Sequence, residues 1–375
     1  MINTAISVMG LKKGFKDKEV LRNVNLSVAQ GSIYALLGSN GAGKTTTVRI
    51  LTTQLAPDAG KIKIGGFDLQ SQPERIRQII SVTGQFSAVD EPLTGRENLR
   101  LMAKMRHLSD PEKSAEKLLR EFHLTEAGDR RVSAYSGGMK RRLDIAMSIL
   151  GNPQLLFLDE PTTGLDPQSR RSMWNMVRKL KESGITIFLT TQYLEEAEEL
   201  ADRIAILDQG EIIAEGTVAE LKGQVHRETA EFIFADKETV EKAKLLVRQN
   251  KMIRISEKES GFFQEKDGRY GFGVFTGGEK DKLAEIFHHL YENRIHICDF
   301  REEKPSLEDV FLQMICEKEK REYEIICKKL QGYIYNGRAL SASFRQKSGY
   351  NSYKHHASCN DDGAVCVSVW KSDPD

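Results

Sequence analysis

A glycine-rich octapeptide near the amino end limits the folds open to this chain more than any other feature. Residues Gly38–Thr45 read GSNGAGKT, which matches the pattern G-x-x-x-x-G-K-[S/T]. The octapeptide follows an apolar run, Ser32–Leu37, that predicts a strand, and it precedes Thr46–Leu55, which predicts a helix. Glycines at a helix start let backbone N–H groups approach phosphate oxygens. The motif therefore predicts a phosphate-binding loop, and a purely structural glycine turn is the weaker interpretation.

Two side chains of this octapeptide carry chemistry. Lys44 is expected to reach the β- and γ-phosphates of a bound nucleotide, and the Thr45 hydroxyl is expected to ligate Mg²⁺. The predicted nucleotide contacts are Gly38, Ser39, Asn40, Gly41, Ala42, Gly43, Lys44, Thr45 and Thr46.

A second signal is an apolar strand that ends in two carboxylates. Leu155–Leu158 reads LLFL and is followed by Asp159 and Glu160. Beside a phosphate loop, Asp159 is placed to hold Mg²⁺ and Glu160 to polarise the attacking water as general base. Without that loop, the same pattern would predict only a strand entering a turn.

A third signal is the sequence Ser136-Gly137-Gly138, which precedes an amphipathic helix. A serine before two glycines is by default an N-cap, but the same geometry also forms an anion site. Two phosphate-binding helix starts in one chain indicate that the second contacts a nucleotide bound by another chain.

Residues 1–222 alternate strand-like and helix-like patterns, which predicts an α/β domain. Several strand candidates are continuous apolar runs, typical of parallel strands buried on both faces. Residues 86–152 predict a helical subdomain, with apolar residues at i, i+3, i+4 and i+7 from Leu143. The strand candidates are Ser32–Leu37, Lys61–Ile64, Ile79–Thr83, Leu155–Leu158, Ile185–Thr190 and Arg203–Leu207, with Glu211–Glu215 as an edge strand.

The carboxyl-terminal third divides into two further segments. Residues 228–314 combine strand and helix patterns with a Gly-rich hairpin, which predicts a small α+β accessory domain. Residues 318–375 lose hydrophobic periodicity, and we expect a disordered tail. The tail contains His355, His356, Cys359 and Cys366, but their spacing fits no standard zinc pattern, so no zinc site is predicted.

Composition excludes several classes of protein. Lys and Arg number 55 and Asp and Glu 54, a net charge of +1 that provides no bulk field for nucleic acid. No apolar run approaches the roughly 20 residues needed to span a bilayer, and the first 15 residues lack a signal peptide's apolar core. The five cysteines form no CxxC pair, and we expect free thiols in a reducing compartment.

Taken together, the three signals and Gly164-Leu165-Asp166 resemble the ATPase subunit of ATP-binding-cassette (ABC) transporters. The resemblance covers residues 1–222. It implies a P-loop NTPase fold with a parallel-sheet core, an antiparallel β edge and a helical subdomain, followed by the small α+β domain. It also implies ATP and Mg²⁺ as ligands.

The resemblance extends to individual residues. Ser136, Gly137 and Gly138 match the signature loop that contacts the γ-phosphate on the partner subunit, and Asp166 matches the D-loop at the dimer seam. Gln85 matches the Q-loop glutamine, which touches Mg²⁺ and couples to the membrane domain. Phe15 matches the aromatic residue that stacks on adenine, although an isolated Phe there is also typical of a core position.

Two departures narrow the family. Tyr135 and Met139 replace the usual Leu and Gln around the signature Ser-Gly-Gly, and Gln192 replaces the usual switch histidine. Both departures are similar to the daunorubicin-resistance type of drug-export ATPase, as are the strings at 90–99 and 305–311. We expect Gln192 to contact the γ-phosphate, and a helix cap is its alternative role.

The resemblance therefore implies an ATP-hydrolysing subunit of a drug exporter at the cytoplasmic face of the plasma membrane. Its expected partners are integral membrane permease subunits and a second ATPase subunit, in a homodimer or a heterodimer, with no nucleic acid. One alternative is an ATPase of the same family that acts on ribosomes or DNA. A single phosphate loop and only 47 residues from Asp90 to Ser136 disfavour it. The other alternative, a non-enzymatic regulatory module, is disfavoured by the presence of Lys44, Asp159 and Glu160.

Overall fold

The computed structural model describes residues 3–16, 18–84, 88–224, 229–249, 254–255, 263–264, 268–275, 280–303, 305–315, 318, 343–345, 353–359 and 365–371. The chain forms two compact units, Met1–Ile315 and Cys316–Asp375. In chain order, the first unit begins with β1 (Thr4–Phe15), β2 (Lys18–Ala29), β3 (Ile33–Leu37), α1 (Lys44–Leu51), β4 (Ala59–Ile64), β5 (Phe67–Asp68), α2 (Pro73–Ile79), β6 (Ile80–Thr83), α3 (Gly95–Met105), α4 (Pro111–Glu121), α5 (Gly137–Ser148), β7 (Leu155–Asp159), α6 (Pro167–Glu182), β8 (Thr186–Thr191), α7 (Leu194–Leu200), β9 (Arg203–Asp208), β10 (Glu211–Gly216) and α8 (Val218–Gly223). It continues with β11 (Thr229–Phe234), α9 (Lys237–Gln249), β12 (Arg254–Ile255), β13 (Phe263–Gln264), β14 (Tyr270–Phe275), α10 (Lys280–Glu292), β15 (Asp299–Glu303) and a helical segment at 307–315.

A six-stranded sheet forms the centre of the first unit, with strand order β10-β9-β3-β8-β7-β6. Strands β6, β7, β8, β3 and β9 are parallel, and only the edge strand β10 is antiparallel. Every residue of β3, β7 and β8 is buried, as expected for strands covered on both faces. This confirms the predicted α/β fold with a parallel-sheet core.

A second sheet of four antiparallel strands, in the order β2-β1-β4-β5, packs beside the first. Apolar residues of both sheets share one hydrophobic cluster, which includes Ile6, Leu26, Tyr34 and Phe188. The predicted strand Lys61–Ile64 lies here, in β4, and not among the parallel strands. Its lysines are exposed and its isoleucines buried, an alternation typical of a strand covered on one face.

The predicted helical subdomain contains α3, α4 and α5. The α3 helix begins with a capping box, in which Thr94 accepts a hydrogen bond from the Glu97 N–H and the Glu97 carboxylate accepts one from the Thr94 N–H. The Asp110 side chain caps α4 by accepting a hydrogen bond from the Lys113 N–H. Buried residues such as Leu99, Leu119 and Leu143 join these helices to the cluster on the other face of the six-stranded sheet.

Apart from the two-residue β13, which pairs with β14, the accessory segment has the element order β-α-β-β-α-β, and its antiparallel strands lie side by side as β12-β14-β11-β15. This is the ferredoxin-like arrangement. It has its own apolar cluster, which contains Phe232, Phe272 and Ile286. Leu307 and Val310, by contrast, pack into the cluster shared with the helical subdomain. The domain boundaries 1–222 and 228–314 stay predictions.

The described residues of the second unit form three strands, β16 (Ser343–Arg345), β17 (Tyr353–Cys359) and β18 (Val365–Lys371), paired antiparallel in that order. The disordered tail over 318–375 stays a prediction, and within that segment the structure describes these three strands. The signal for β18 is an apolar residue at every second position, Val365, Val367 and Val369, which is the period of a strand and not of a helix.

Within the described residues, no helix is both long enough and apolar enough to cross a membrane.

Candidate functional site

The glycine-rich loop lies at the carboxyl end of β3, between that strand and α1. A side chain at Gly38 would place its Cβ 2.3 Å from the carbonyl oxygen of Leu207, so the close approach of the loop to β9 requires glycine there. Gly43 has φ +114° and precedes α1, which begins at Lys44 without a side-chain cap. Ser39, Asn40 and Gly41 are exposed. An uncapped helix start behind an exposed loop is suited to an anion.

Lys44 places its ammonium group inside the loop. Lys44 is only 4 % exposed, and its Nζ donates to the carbonyl oxygens of Gly38, at 2.8 Å, and Ser39, at 3.1 Å. The same Nζ lies 3.3 Å from Glu160 Oε1. The buried cation is therefore balanced by the carboxylate predicted to be the general base, and phosphate oxygens are the other anions that could satisfy it.

Asp159 ends β7 directly beside the first turn of α1. Its Oδ1 lies 3.5 Å from Thr45 Oγ1 and accepts a 2.5 Å hydrogen bond from Thr190 Oγ1 on β8. Magnesium prefers oxygen ligands, typically one or two carboxylates with water and phosphate oxygens. The Thr45 hydroxyl and the Asp159 carboxylate fit that ion.

Glu160 adopts a backbone conformation that is rare for a residue with a side chain, with φ +48°. Its N–H donates to both the carbonyl oxygen and the hydroxyl of Thr190, each at 3.1 Å. Thr163 Oγ1 donates to Glu160 Oε2 at 3.3 Å. Surrounding contacts therefore hold this strained residue in one conformation, as is common for residues at functional sites.

Ser136 caps α5, with its hydroxyl accepting a 3.3 Å hydrogen bond from the Met139 N–H. The capping role considered from the sequence is thus present. Among the described residues, no hydrogen bond or ion pair joins Ser136, Gly137 or Gly138 to the loop at 38–45. Their contact with a nucleotide on a second subunit stays a prediction. Asp166 likewise caps α6, by accepting from the Ser169 N–H at 2.9 Å, and the hydrogen bonds from Ser169 lower the pKa of this exposed carboxyl.

Gln192 lies between β8 and α7 and is half-buried. The N-cap of α7 is Tyr193, whose N–H donates to Thr191 Oγ1, and no side chain caps this helix. The alternative role of Gln192 as a helix cap is therefore wrong, whereas its γ-phosphate contact stays a prediction.

Two further predicted residues have different outcomes. Phe15 ends β1 with 46 % of its surface exposed, and Lys13 Nζ lies 5.4 Å from the ring centroid. The alternative of a core position is wrong, and stacking on adenine stays a prediction. Gln85 lies outside the described residues, so its predicted contact with Mg²⁺ stays a prediction too.

Sequence reasoning missed a buried ion pair on α5. Arg141 and Asp144 lie one helical turn apart, with Arg141 Nη1 3.4 Å from Asp144 Oδ2. Burial lowers the pKa of Arg141 and raises the pKa of Asp144. An Arg and an Asp at i and i+3 ordinarily indicate a solvated helix face, so the sequence offered no signal for their burial.

A second missed residue is Glu196 on α7, which is fully buried. Trp174 Nε1 donates to its Oε1 at 3.3 Å, whereas Oε2 finds no partner among the described residues. Burial raises the pKa of Glu196, and the nearby Thr191, Thr162 and Trp174 offset only part of that effect.

Comparison with known proteins agrees with this geometry. Residues 21–163 match the family model described as "ABC transporter". The chain is 41% identical over 312 residues to the daunorubicin resistance ATP-binding protein DrrA2 of Streptomyces coeruleorubidus, covering 83% of this chain and 94% of that protein. It is 38% identical over 221 residues to the linearmycin resistance ATP-binding protein LnrL of Bacillus subtilis, covering 58% and 71% of the two chains.

A solved structure described as the ATP-binding subunit of an ABC transporter shares 34% identity, with a TM-score of 0.53 over 59% of this chain and 93% of that one. A second, an ATP-binding cassette in its ADP conformation, shares 26% identity, with the same TM-score over 58% and 92%.

Proposed function

We propose that this chain, which belongs to the family of ATP-binding subunits of ABC transporters, is the ATP-hydrolysing subunit of a drug exporter. Membership in the family establishes ATP hydrolysis as the expected activity. The proposal that the transported compound is a drug is supported by two relatives that are named for resistance to daunorubicin and to linearmycin.

The observation that carries the proposal is the convergence of four side chains. Lys44 and Thr45 follow β3, whereas Asp159 ends β7 and Glu160 follows it, and contacts of 3.3 Å and 3.5 Å join the two pairs. Ligands of open α/β sheets bind at the carboxyl ends of the strands, which is where these residues meet.

Each of the four residues has a role in cleavage of the β–γ phosphate bond. Lys44 and the N–H groups of the loop bind phosphate oxygens, and Phe15 stacks on the adenine. Thr45, Asp159 and Gln85 would hold Mg²⁺, which supplies positive charge beside the β- and γ-phosphates. Glu160 orients the attacking water and accepts its proton. Catalysis here consists of positioning and charge stabilisation, with little covalent chemistry by the protein.

We further propose that the active form is a dimer, a homodimer or a heterodimer, with two ATP molecules at its seam. Ser136, Gly137 and Gly138 of one subunit would contact the γ-phosphate bound by the other. Closure and reopening of the dimer would move permease subunits between inward- and outward-facing states. The chain would thus lie at the cytoplasmic face of the plasma membrane, held by those permease subunits. The relatives favour this role over an ATPase that acts on ribosomes or DNA.

The decisive test is Glu160→Gln. The amide removes the general base but keeps the Mg²⁺ ligands, so we expect unchanged ATP affinity, loss of phosphate release and an ATP-dependent dimer on size exclusion. Glu182→Gln is the matched control, because Glu182 is exposed at the end of α6, and it should retain full turnover. Wild-type turnover in Glu160→Gln would remove Glu160 from the chemistry.

The export role needs a separate test in cells. Cells that produce this chain together with a multi-helix membrane protein encoded beside its gene should accumulate less daunorubicin than cells that lack both. Replacing the chain by Glu160→Gln should abolish the difference. If purified chain turned over at full rate and did not respond to that membrane protein, the exporter assignment would be wrong even though the ATPase assignment stood.

A further inference from the structure

The buried Arg141 brackets Glu160 through backbone hydrogen bonds. Arg141 Nη2 donates to the carbonyl oxygen of Asp159 at 3.1 Å, and Nε donates to the carbonyl oxygen of Pro161 at 3.0 Å. These carbonyls stand immediately before and after Glu160 in the chain. The planar guanidinium can hold both at once because its donors are fixed in one fork.

The two hydrogen bonds meet the strained point of the site. Glu160 has φ +48°, and Thr190 fixes its N–H from the side of β8. Arg141 fixes the flanking carbonyls from the side of α5. A left-handed conformation persists at a non-glycine residue only where the surroundings enforce it. Glu160 is therefore held from two sides, by β8 and by α5.

The same ion pair also binds the segment that follows β6. Arg141 Nη1 donates to the Gly84 carbonyl oxygen at 2.7 Å, and the Asp144 carboxylate accepts from the Ala88 N–H at 3.2 Å. Gly84 follows β6, the neighbour of β7 in the sheet. One pair of side chains thus connects α5 to the segments that follow two neighbouring strands, β6 and β7.

Stability alone does not explain this pair. Arg141 is 8 % and Asp144 4 % exposed, and desolvation of two charges offsets much of their mutual attraction. Replacing such a pair with apolar residues is often neutral for stability. What apolar residues cannot reproduce is the set of directed hydrogen bonds to Asp159, Pro161 and Gly84.

We propose that Arg141, oriented by Asp144, is a positioning residue that sets the conformation of Glu160 and couples it to α5, the helix capped by Ser136. It acts through the backbone on either side of Glu160 and does not touch the nucleotide. The proposal rests on the proposed function, in which Glu160 is the general base.

The test separates positioning from folding. In Arg141→Met, Asp144 is left buried without its partner, so both melting temperature and turnover should fall. In Arg141→Met/Asp144→Ala, both charges are gone, and the melting temperature should recover in part, because the three carbonyl groups stay unpaired, while kcat stays lower by about 10²-fold. The Kd for ATP should equal that of wild type in each variant. Recovery of kcat together with melting temperature in the double variant would show a purely structural role and overturn the proposal.

A conservative variant serves if the double variant does not fold. Arg141→Lys keeps the charge beside Asp144 but loses the fork, so we expect unchanged melting temperature and Kd with kcat reduced about 10-fold or more. Wild-type kcat in this variant would contradict the proposal. Arg178→Gln is the matched control, because Arg178 is a half-buried arginine on α6 that pairs with Glu199 away from the site, and its kcat should not change.

Glu160→Gln separates failure of the general-base assignment of Glu160 from failure of the positioning role of Arg141. If Glu160→Gln retains turnover, the base assignment fails and this proposal fails with it. If Glu160→Gln loses turnover while Arg141→Met/Asp144→Ala and Arg141→Lys retain it, only this proposal fails. Since the two residues act as one unit, Arg141→Lys added to Glu160→Gln should lower the residual kcat no further.

Discussion

Gln192 illustrates how a single residue changes the chemistry available at the end of β8. Its amide can donate to a γ-phosphate oxygen and accept from water, but unlike histidine it carries no transferable proton. Loss of one preorganised donor typically costs about 10²–10³ in turnover. Gln192→Ala should therefore lose most ATPase activity at saturating Mg-ATP while ATP still binds.

Gln192→His provides the complementary measurement. Because imidazole also donates a hydrogen bond from this position, the variant should retain part of the turnover. Full activity in Gln192→Ala would show that the side chain has no part in the reaction.

Glu196 gives a pH-dependent prediction about stability. Burial raises the pKa of this carboxyl above its unfolded value near 4.5, so the folded state binds the proton more tightly than the unfolded state. The free energy of unfolding therefore falls as pH rises from the unfolded pKa through the folded pKa, by about 1.4 kcal/mol for each pKa unit. Glu196→Gln removes the charge and keeps the acceptor for Trp174. It should raise the melting temperature at pH 8, with a difference that shrinks toward pH 4.5.

Glu195→Gln is the control for that pH series, because Glu195 lies on the same helix with its side chain exposed. It should change the melting temperature little at any pH. A Glu196→Gln variant less stable than wild type at pH 8 would show that the buried carboxylate is stabilised as the anion.

Between elements, the fit of α3 against the signature loop is tight at one point. The Tyr135 hydroxyl donates to the Ala127 carbonyl oxygen at 2.7 Å, and a Cβ added at Gly95 would lie 2.3 Å from that hydroxyl. Gly95→Ala should therefore destabilise the protein by about 1–3 kcal/mol despite alanine's higher helix propensity. In Tyr135→Phe the obstructing oxygen is absent, and the same substitution should cost much less.

A double-mutant cycle in urea measures this coupling. Tyr135→Phe alone should cost about 1 kcal/mol for the lost hydrogen bond, and the double variant should be more stable than the sum of the single effects predicts. Strict additivity would mean that the two positions do not meet.

The sequence predicted the strands whose residue pattern directly reflects their burial in the fold. The runs before Gly38 and Asp159 are apolar throughout, so β3, β7 and the residues at their carboxyl ends could be placed in advance. The β1–β2 hairpin was missed, because bulges interrupt its alternation, with register shifts between Val8 and Leu11. Arg141 could not be identified, because burial of an arginine depends on contacts with chain distant in sequence.

At the scale of the whole molecule, the chain divides into two compact units. Strands β16, β17 and β18 hydrogen-bond to one another, and the compact unit Met1–Ile315 ends before them. That first unit contains the six-, five- and four-stranded sheets, the loop at 38–45 and every predicted site residue described in the structure. The residues expected to bind and hydrolyse ATP therefore lie on one side of a single boundary near 315.

Truncation after Lys318 tests whether that boundary is also a functional one. The shortened chain keeps the three apolar clusters of the first unit intact, so its melting temperature and its ATPase rate should match those of the full chain. Truncation after Pro305 is the contrasting variant, because it removes Leu307 and Val310 from the cluster under the six-stranded sheet. Loss of these two buried aliphatic side chains should lower the free energy of unfolding by about 2–5 kcal/mol each, as large-to-small core changes do. The melting temperature should therefore fall clearly. A large fall in stability or turnover after the Lys318 truncation would instead mean that the segment beyond it contributes to the folded body, and the boundary would have to be moved.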